Sequence, residues 1–351
     1  MSKDVEYIFY SSNLICFYNH IEIIKHLKIS LNKCHFYSPR KLIDKSKLLE
    51  KHNIIGAEEL CNLKFNEKKI VESYNCLKKN KNFLKKTIGM PFIIFLPHLI
   101  NFREISIIHN HLCVGYYFVE EGLPAYRKDF GPFNSKTIPV AVSFLNLILN
   151  KNWIPTRIKA LEMNKKYLGC FGNFEYSFTH LRNRRLLKTR FKNEQCDKTI
   201  IPDGSHIFIF DQILVLNCSV EIYFKCIRNS LEKIKKNDIS IVYIKYHPDL
   251  INNSIVRSRF NELCTLIEID VITLNNDFFI EGFLSQRPNV FIYGLKSAVL
   301  LYAVMYGVRV ICFSKTYRKL NENDSRIYSI ENFFRDKKEF VNLSFSEPNL
   351  N

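Results

Sequence analysis

Short apolar strands alternate with amphipathic helices twice along this chain of 351 residues. The first series opens with a β-branched and aromatic segment at 5–10, a helical pattern at 15–27 and a second strand at 34–37. The second series opens with a strand at 206–210, which a basic amphipathic helix follows at 220–235. This order of elements is typical of parallel sheets whose strands are joined by crossover helices. We therefore predict an α/β protein.

The length of the chain and its two series of elements predict two Rossmann-like domains that face a central cleft. We place an N-terminal domain at 1–200 and a C-terminal domain at 201–351. Residues 150–199 are the least regular part and are predicted to include a basic connector. Residues 105–119 are predicted to supply one or two strands, and residues 329–340 a closing helix.

A formal net charge of +17 indicates an anionic partner, which could be nucleic acid, a membrane surface or an acidic substrate. The basic segments at 78–86 and 182–190 could follow an acidic polymer or hold the protein on anionic lipid. Eleven cysteines without a C-x-x-C pair, and an N-terminus without a secretory signal, favour the cytoplasm. Because no apolar stretch is long enough to cross a bilayer, any contact with the inner membrane is expected to be peripheral.

Two acidic residues and a glycine, Glu120-Glu121-Gly122, close the apolar run at 114–119. Ligands of open α/β sheets bind beyond the carboxyl ends of the strands. Neighbouring negative charges and partial burial raise the pKa of a carboxyl group and make it a better general base. Gly122 would let the backbone turn sharply beside a ligand. The alternative is a helix start, where acidic side chains favour the helix dipole.

A second motif, His247-Pro248, closes the predicted strand at 239–246, which also carries Lys245. Histidine exchanges protons near neutral pH, and proline fixes the turn that keeps it at the strand end. A neighbouring lysine favours a phosphate ligand. The alternative is a histidine that only caps a strand-to-helix turn.

Three weaker patterns complete the set of candidates. Ser297 stands at a strand-to-helix junction, where backbone N–H groups and a hydroxyl can bind an anion, although an ordinary helix cap is the alternative. Glu281 could accept hydrogen bonds from ribose hydroxyls, whereas a plain surface glutamate is the commoner case. His109, His111 and Cys113 would share one strand face, but metal binding is the minor alternative because zinc ligands usually come from several elements.

Taken in order, these motifs resemble those of the bacterial sialyltransferases and polysialyltransferases of GT-B architecture. The resemblance extends over roughly residues 5–315 and rests on Glu120-Glu121-Gly122 with Tyr126, Lys245-Tyr246-His247-Pro248, Glu281 and Ser297. It implies a GT-B fold and inverting transfer of sialic acid from CMP-sialic acid, without a metal or other cofactor. The acceptor would be a glycan hydroxyl in capsule or lipooligosaccharide synthesis.

The same resemblance implies a role for each matching residue. Glu121 or Glu120 would be the general base, and His247 would assist departure of the CMP phosphate. Ser297 would bind that phosphate, and Glu281 would hold the ribose or the cytosine. Gly122, Lys245 and Pro248 would contribute to substrate binding, and Asp211-Gln212 could also face the cleft.

One departure from the family pattern concerns the serine motif, which often has two adjacent hydroxyl residues. Here Lys296 precedes Ser297. Transfer of another CMP-linked sugar acid, such as Kdo from CMP-Kdo, is therefore an alternative. A basic nucleic-acid-binding protein without catalytic activity is an alternative from a different class, because it explains the charge.

Overall fold

The computed structural model describes two compact units, Met1–Thr189 and Arg190–Asn351. The residues that it describes are 5–38, 53–55, 59–61, 70–98, 102–126, 140–154, 165–187, 201–210, 219–247, 250, 253–275, 278–286, 288–295, 297–313, 317 and 320. Residues 188–200 lie outside this set, so the predicted domain boundary after residue 200 stays a prediction. Residues 188–199 of the predicted connector region and the predicted closing helix at 329–340 also lie outside it.

The first unit is built on a sheet of seven parallel strands in the order β3-β2-β1-β4-β5-β6-β7. Its strands are β1 (Glu6–Tyr10), β2 (Cys34–Tyr37), β3 (Asn53–Ile55), β4 (Phe92–Leu96), β5 (Cys113–Val119), β6 (Tyr167–Gly172) and β7 (Arg184–Leu186). Its helices are α1 (Leu14–Leu27), α2 (Ile70–Thr87), α3 (Phe102–Ile108) and α4 (Val140–Asn150).

Aromatic side chains from neighbouring central strands form the core of this sheet. Phe9 on β1, Phe95 on β4 and Tyr117 on β5 stack successively, with ring centroids 4.8 Å and 5.0 Å apart. Large, rigid rings at facing positions bury much apolar area and fix the strand register. Helix α1 starts at Asn13, whose side chain accepts a hydrogen bond from the Cys16 amide.

The second unit is built on five parallel strands in the order β10-β9-β8-β11-β12. Its strands are β8 (His206–Phe210), β9 (Ile241–Tyr246), β10 (Asp270–Thr273), β11 (Phe291–Gly294) and β12 (Arg309–Cys312). Its helices are α5 (Val220–Lys235), α6 (Ser254–Ile267), α7 (Ile280–Leu284) and α8 (Ala298–Met305). Phe208 and Tyr293 stack at 4.6 Å in its core, and Phe260 of α6 packs edge-on against Phe210 at 5.0 Å.

Both sheets run outward from their first strand in two directions, so the strand order reverses at β1 in one unit and at β8 in the other. That order is the doubly wound arrangement of Rossmann-like domains, and it confirms the predicted α/β class with two such domains. In each sheet, the reversal leaves a crevice outside the carboxyl ends of the strands, where ligands of this fold class bind.

Two predictions about the first unit were wrong. Residues 105–108 are helical and belong to α3, so only the later part of the predicted strand region, β5, is extended. The isoleucines there favoured a strand by propensity, but packing on the sheet overrides propensity. The stretch 150–199, predicted to be the least regular part of the chain, contains two strands that were not predicted, β6 and β7. The short elements β3 and α7 were not predicted.

Among the described residues, no helix is long and apolar enough to cross a membrane. The nine cysteines in this part of the chain are free thiols, and seven of them are buried. Those seven occupy the apolar interior, as small hydrophobic residues do.

Candidate functional site

In the first unit, polar side chains follow the central strands at the point where the strand order reverses. Ser12 and Asn13 come after β1, His98 after β4, and Glu120 and Glu121 after β5. Because these strands are parallel neighbours, their carboxyl ends meet at one edge of the sheet. The structure therefore brings the predicted acidic pair together with residues from more than 100 positions earlier in the chain.

Glu120 is completely buried and is held by hydrogen bonds on its carboxylate. The hydroxyl of Tyr126 donates to Oε1, and the hydroxyl of Ser177 donates to Oε2 at 2.5 Å. The backbone amide of Asn173 also donates to Oε2, at 2.6 Å. A buried carboxylate is stable only when such donors replace its lost water. Glu120 thus joins β5 to the turn that follows β6.

Glu121 points to a different set of partners and keeps 13% of its side chain exposed. The Ser12 hydroxyl donates to its Oε2, and His98 Nε2 lies 3.3 Å from its Oε1. The side-chain amide of Asn13, the cap of α1, donates to the Glu121 carbonyl at 2.8 Å. The next residue, Gly122, has a φ of 138°, a conformation that favours glycine, so it makes the sharp turn that was predicted.

His98 links Glu121 to a second, fully buried carboxylate. Its Nδ1 lies 3.9 Å from Oε2 of Glu104, which is on α3. Glu104 Oε1 accepts a hydrogen bond from the Tyr10 hydroxyl at 2.8 Å and lies 3.7 Å from Arg103 Nη2. The same Arg103 nitrogen donates to the Tyr10 hydroxyl at 2.9 Å.

His98 and Glu104 were not among the predicted site residues. His98 follows the predicted strand at 92–96 as closely as His247 follows its own strand, so the same strand-end rule would have found it. Glu104 carried no such signal, because the residues after it were predicted to be extended rather than helical.

Burial sets the protonation of the groups beneath this site. It raises the pKa of Tyr10 well above its usual value, an effect that the charge of Glu104 reinforces and Arg103 opposes. It also lowers the pKa of His20 to about 3, so this ring, with Nδ1 2.9 Å from the Ser11 hydroxyl, is neutral. The side chains of Tyr10 and His20 are therefore uncharged near neutral pH.

In the second unit, Lys245 and His247 lie at the carboxyl end of β9. Lys245 Nζ donates to the carbonyl of Asn275 at 2.5 Å. The amide of His247 donates to the Phe210 carbonyl at 3.1 Å, and its own carbonyl accepts from the Leu250 amide at 2.8 Å. His247 therefore occupies the strand-end turn that was predicted, and Pro248 lies outside the described residues.

Glu281 is the second residue of α7, and Ser297 lies between β11 and α8. Burial raises the pKa of the Glu281 carboxyl, and the nearby charge of Lys245 opposes that effect. Ser297 is the N-cap of α8, and its hydroxyl accepts a hydrogen bond from the Val299 amide at 3.2 Å. The cap is thus observed, and the phosphate contact of Ser297 stays a prediction. Lys296 and Asp211-Gln212 lie outside the described residues.

The predicted strand face of possible metal ligands is not formed. His109 directly follows α3, where its Nδ1 donates to the Ile105 carbonyl at 2.9 Å, and burial lowers its pKa to about 4. His111 lies in the following turn, so only Cys113 belongs to the strand. Over the described ranges, no group of three or more histidine, cysteine, aspartate or glutamate side chains could hold a metal ion.

Solved structures are similar to this chain at low sequence identity. The alignment with the UDP-GlcNAc 2-epimerase from Methanocaldococcus jannaschii covers 97% of this chain and 91% of the epimerase chain, with 14% identity and a TM-score of 0.51. The UDP-GlcNAc 2-epimerase from Neisseria meningitidis covers 97% and 93%, with 13% identity and a TM-score of 0.49. The calicheamicin glycosyltransferase CalG4 covers 98% and 95%, with 10% identity and a TM-score of 0.49.

The similarity to the Methanocaldococcus epimerase extends through both units and confirms the predicted GT-B fold. A comparison with curated protein sequences gives no match. Residues 9–313 match the alpha-2,8-polysialyltransferase family model, a range that contains both strand-end motifs and Ser297. Because that match extends over most of the chain, the protein belongs to the alpha-2,8-polysialyltransferase family of glycosyltransferases.

Proposed function

We propose that this protein is an inverting, metal-independent sialyltransferase that uses CMP-sialic acid. It transfers sialic acid to a glycan hydroxyl in capsule or lipooligosaccharide synthesis. The family membership supports sialyl transfer from a nucleotide sugar to a glycan. The observation that carries the proposal is the Glu121 carboxylate, which is partly exposed at the strand-order reversal and is held by Ser12 and His98.

Glu121, rather than Glu120, is the general base in this proposal. A base must come within hydrogen-bond reach of the acceptor hydroxyl. The Glu120 side chain is fully buried and engaged by Tyr126, Ser177 and the Asn173 amide, whereas 13% of the Glu121 side chain is exposed. Glu120 instead fixes the end of β5, from which Glu121 projects.

His98 acts as a positioning residue for that base. Its Nε2 faces Glu121 Oε1 at 3.3 Å while the Ser12 hydroxyl binds Oε2, so both carboxylate oxygens are oriented. Glu104 and Tyr10 lie behind His98 in a buried network that holds Arg103 as well. A group fixed in this way loses little entropy when the acceptor binds, which favours reaction.

In the reaction, the acceptor oxygen forms a bond to the anomeric carbon of sialic acid. The bond between that carbon and the phosphate oxygen of CMP breaks, and CMP leaves with the electron pair. The acceptor proton passes to Glu121, and His247 assists departure of the phosphate. A single displacement of this kind inverts the anomeric configuration.

On the donor side, the proposal assigns phosphate binding to Ser297 with help from Lys245 and Pro248. The backbone amides at the start of α8 and the lysine charge suit an anionic group. Glu281 holds the ribose or the cytosine, and Gly122 permits close approach of the acceptor. A large positive net charge suits an acidic glycan acceptor and peripheral contact with an anionic membrane.

The central test measures transfer from CMP-sialic acid by Glu121→Gln and His247→Ala. We expect each substitution to lower kcat about 10²–10⁴-fold, the usual contribution of a general acid or base, with the fold intact by circular dichroism. Glu175→Gln, at an exposed glutamate of the first unit, is the matched control and should keep full activity. Near-normal transfer by either variant would show that the roles are assigned wrongly.

The positioning role of His98 has its own test. His98→Gln retains a side-chain N–H group that can reach Glu121, whereas His98→Leu has none. We expect kcat to fall about tenfold or more in His98→Leu, with KM for the donor unchanged and partial recovery in His98→Gln. Equal loss in both variants, or a loss confined to KM, would contradict positioning of the base.

Donor identity is tested by comparing CMP-sialic acid with CMP-Kdo, the alternative left open by the serine motif. Selective thermal stabilisation by CMP over UDP and GDP would support the donor class, because only a bound ligand shifts the transition. Nuclear magnetic resonance of the product reports inversion, and activity in EDTA reports metal independence. Family membership speaks against the nucleic-acid-binding alternative.

A further inference from the structure

Helix α4 is amphipathic in the opposite sense to an ordinary surface helix. Its polar residues Ser143, Asn146 and Asn150 are buried, and Asn146 Nδ2 donates to the Asn152 carbonyl at 2.7 Å. The side-chain amide of Asn150 donates to Asn146 Oδ1 at 2.8 Å. Surface helices normally direct their apolar stripe inward and their polar side outward. Asn146 Nδ2 also donates to the His109 carbonyl at 3.4 Å, which holds the polar side of α4 against the first unit and leaves its apolar side facing out.

The outward side of α4 forms one continuous apolar face. Val140, Phe144, Leu147 and Ile148 are 63%, 55%, 40% and 61% exposed. Their spacing of four, three and one residues places them on one side of the helix. Trp153, just past the end of α4, is 43% exposed. Single exposed apolar residues are ordinary, but a contiguous group marks an interaction site.

Lysines surround the carboxyl end of this α4 apolar face. Lys81 of α2 donates to the Leu149 carbonyl, which ties the two helices together. Lys78 and Lys85 stand three residues before and four residues after Lys81, so they lie on the same side of α2. Lys151 follows α4 directly and is exposed, as are Lys78 and Lys85. We call these four residues the lysine rim.

The charge around the α4 apolar face decides which partner suits it. Glu72 is the one acidic residue in the sequence of the two helices, residues 70–87 and 140–150. A second copy of the chain would bring two lysine rims together, and like charges repel at close range. Nucleic acid would match the lysines but would leave Phe144 and Ile148 in water. An anionic bilayer offers both acyl chains and negative headgroups.

We propose that the α4 apolar face and the lysine rim dock this protein on an anionic lipid bilayer. With 11 residues, α4 is about 16 Å long, roughly half the thickness of a hydrocarbon core, so it lies along the surface. Its apolar side chains enter the headgroup boundary, and the lysines contact lipid phosphates. The inference rests on the peripheral membrane contact proposed above and specifies the surface that makes it.

The experiment measures binding of the full chain to vesicles of phosphatidylcholine alone and of equimolar phosphatidylcholine and phosphatidylglycerol. Trp153 is the single tryptophan of the chain, so its fluorescence reports directly on this surface. We expect sedimentation with the anionic vesicles and a blue shift of Trp153 emission, because the indole moves into a less polar environment. Neutral vesicles should bind weakly, and salt should weaken binding to the anionic ones.

The double variant Phe144→Glu/Ile148→Glu should bind anionic vesicles at least about tenfold more weakly. Ile255→Glu/Leu266→Glu is the matched control, since these residues of α6 are 78% and 69% exposed and lie in the second unit. A second variant, Lys78→Glu/Lys85→Glu, leaves the side chains of α4 unchanged. It should remove the preference for anionic over neutral vesicles. This variant tests the inference independently if the first one folds poorly.

Equal vesicle binding by the α4 variant and the α6 control would overturn the proposal. Absence of vesicle binding by the unaltered chain would also overturn it. Sedimentation velocity gives a further check: if the unaltered chain were a dimer that the α4 substitutions dissociate, the surface would bind a second copy instead of lipid. Transfer to a soluble glycan acceptor without vesicles should be unchanged in Phe144→Glu/Ile148→Glu. Loss of transfer in the unaltered chain would instead contradict the proposed function and leave the vesicle result standing.

Discussion

The two units share one strand order but differ in what lies beneath the strand ends. Of the eighteen polar or charged side chains that are buried among the described residues, seventeen belong to the first unit. The exception is His206 in the second unit, which stacks on Phe291 at 4.7 Å. The same topology therefore supports a polar interior in one unit and an almost wholly apolar interior in the other.

This difference corresponds to the chemistry proposed for each unit. A general base must be held in one orientation. Ser177 binds Glu120 at the end of β5, and Glu104 lies 3.9 Å from His98, whose other ring nitrogen faces Glu121. An anionic donor needs backbone N–H groups and cations at the surface, which the cap at Ser297 and the side chain of Lys245 supply. Such groups require no buried polar network below them.

The largest effect is expected from replacing a buried carboxylate of the first unit, and it contrasts with the effect of replacing a partly buried carboxyl group of the second unit. Glu104→Gln leaves the buried Arg103 guanidinium without its carboxylate, which should lower the free energy of unfolding by about 3–5 kcal/mol. Glu281→Gln should be neutral or stabilising at pH 7, because burial raises the pKa of that carboxyl and its ionised form is unfavourable. Urea unfolding of both variants measures the contrast.

The sign of the Glu281 effect can be checked against pH. A raised carboxyl pKa means that the folded chain holds its proton above the usual value of 4.5, so stability falls as pH rises through that window. The variant should not show this loss. CMP binding should weaken in Glu281→Gln if its carboxylate holds the ribose. Destabilisation by Glu281→Gln equal to that by Glu104→Gln would remove the difference between the units.

Acidification should weaken the first unit more than the second. Burial lowers the pKa of His20 to about 3 and of His109 and His206 to about 4. The unfolded chain takes up these protons below pH 6.5, and the folded chain does not, so stability falls as pH falls. Between pH 7 and pH 5, each of these histidines should lower the free energy of unfolding by about 2 kcal/mol.

Hydrogen exchange, corrected for its intrinsic pH dependence, reports the two units separately in the full chain. We expect the free energy of opening in the core strands of the first unit, which holds His20 and His109, to fall about twice as much as in those of the second. His109→Gln should reduce the difference. A larger loss in the second unit would contradict the comparison.

The smallest effect is expected from glycines at the ends of two strands. An added Cβ at Gly172 would lie 2.8 Å from the Ser177 hydroxyl, so Gly172→Ala should displace Ser177 from Glu120 and cost about 1–2 kcal/mol. At Gly294 the nearest atom would be Leu300 Cδ2 at 3.2 Å, the end of a flexible side chain. Gly294→Ala should therefore cost less in thermal unfolding, and a larger cost there would reverse the expectation.

The sequence predicted well those elements whose own side chains decide their structure. Helix α5, Val220–Lys235, was predicted with its observed ends because its apolar spacing and Ser219 cap are local signals. β7 gave no such signal, since its three exposed residues become a strand only by pairing with β6. The reversed orientation of α4 was also hidden, because one hydrogen bond that fixes it joins Asn146 to the His109 carbonyl, 37 residues earlier in the chain.

By itself, the sequence determined the order of strands and helices and the residues that stand at the strand ends. Alternation and helical spacing carry that information within a few residues of chain. Only the tertiary structure decided that Glu120 is buried and Glu121 is available, although the two are adjacent. Their partners Ser177, Ser12 and His98 come from other strands, so the difference depends on contacts that form only when the sheet assembles.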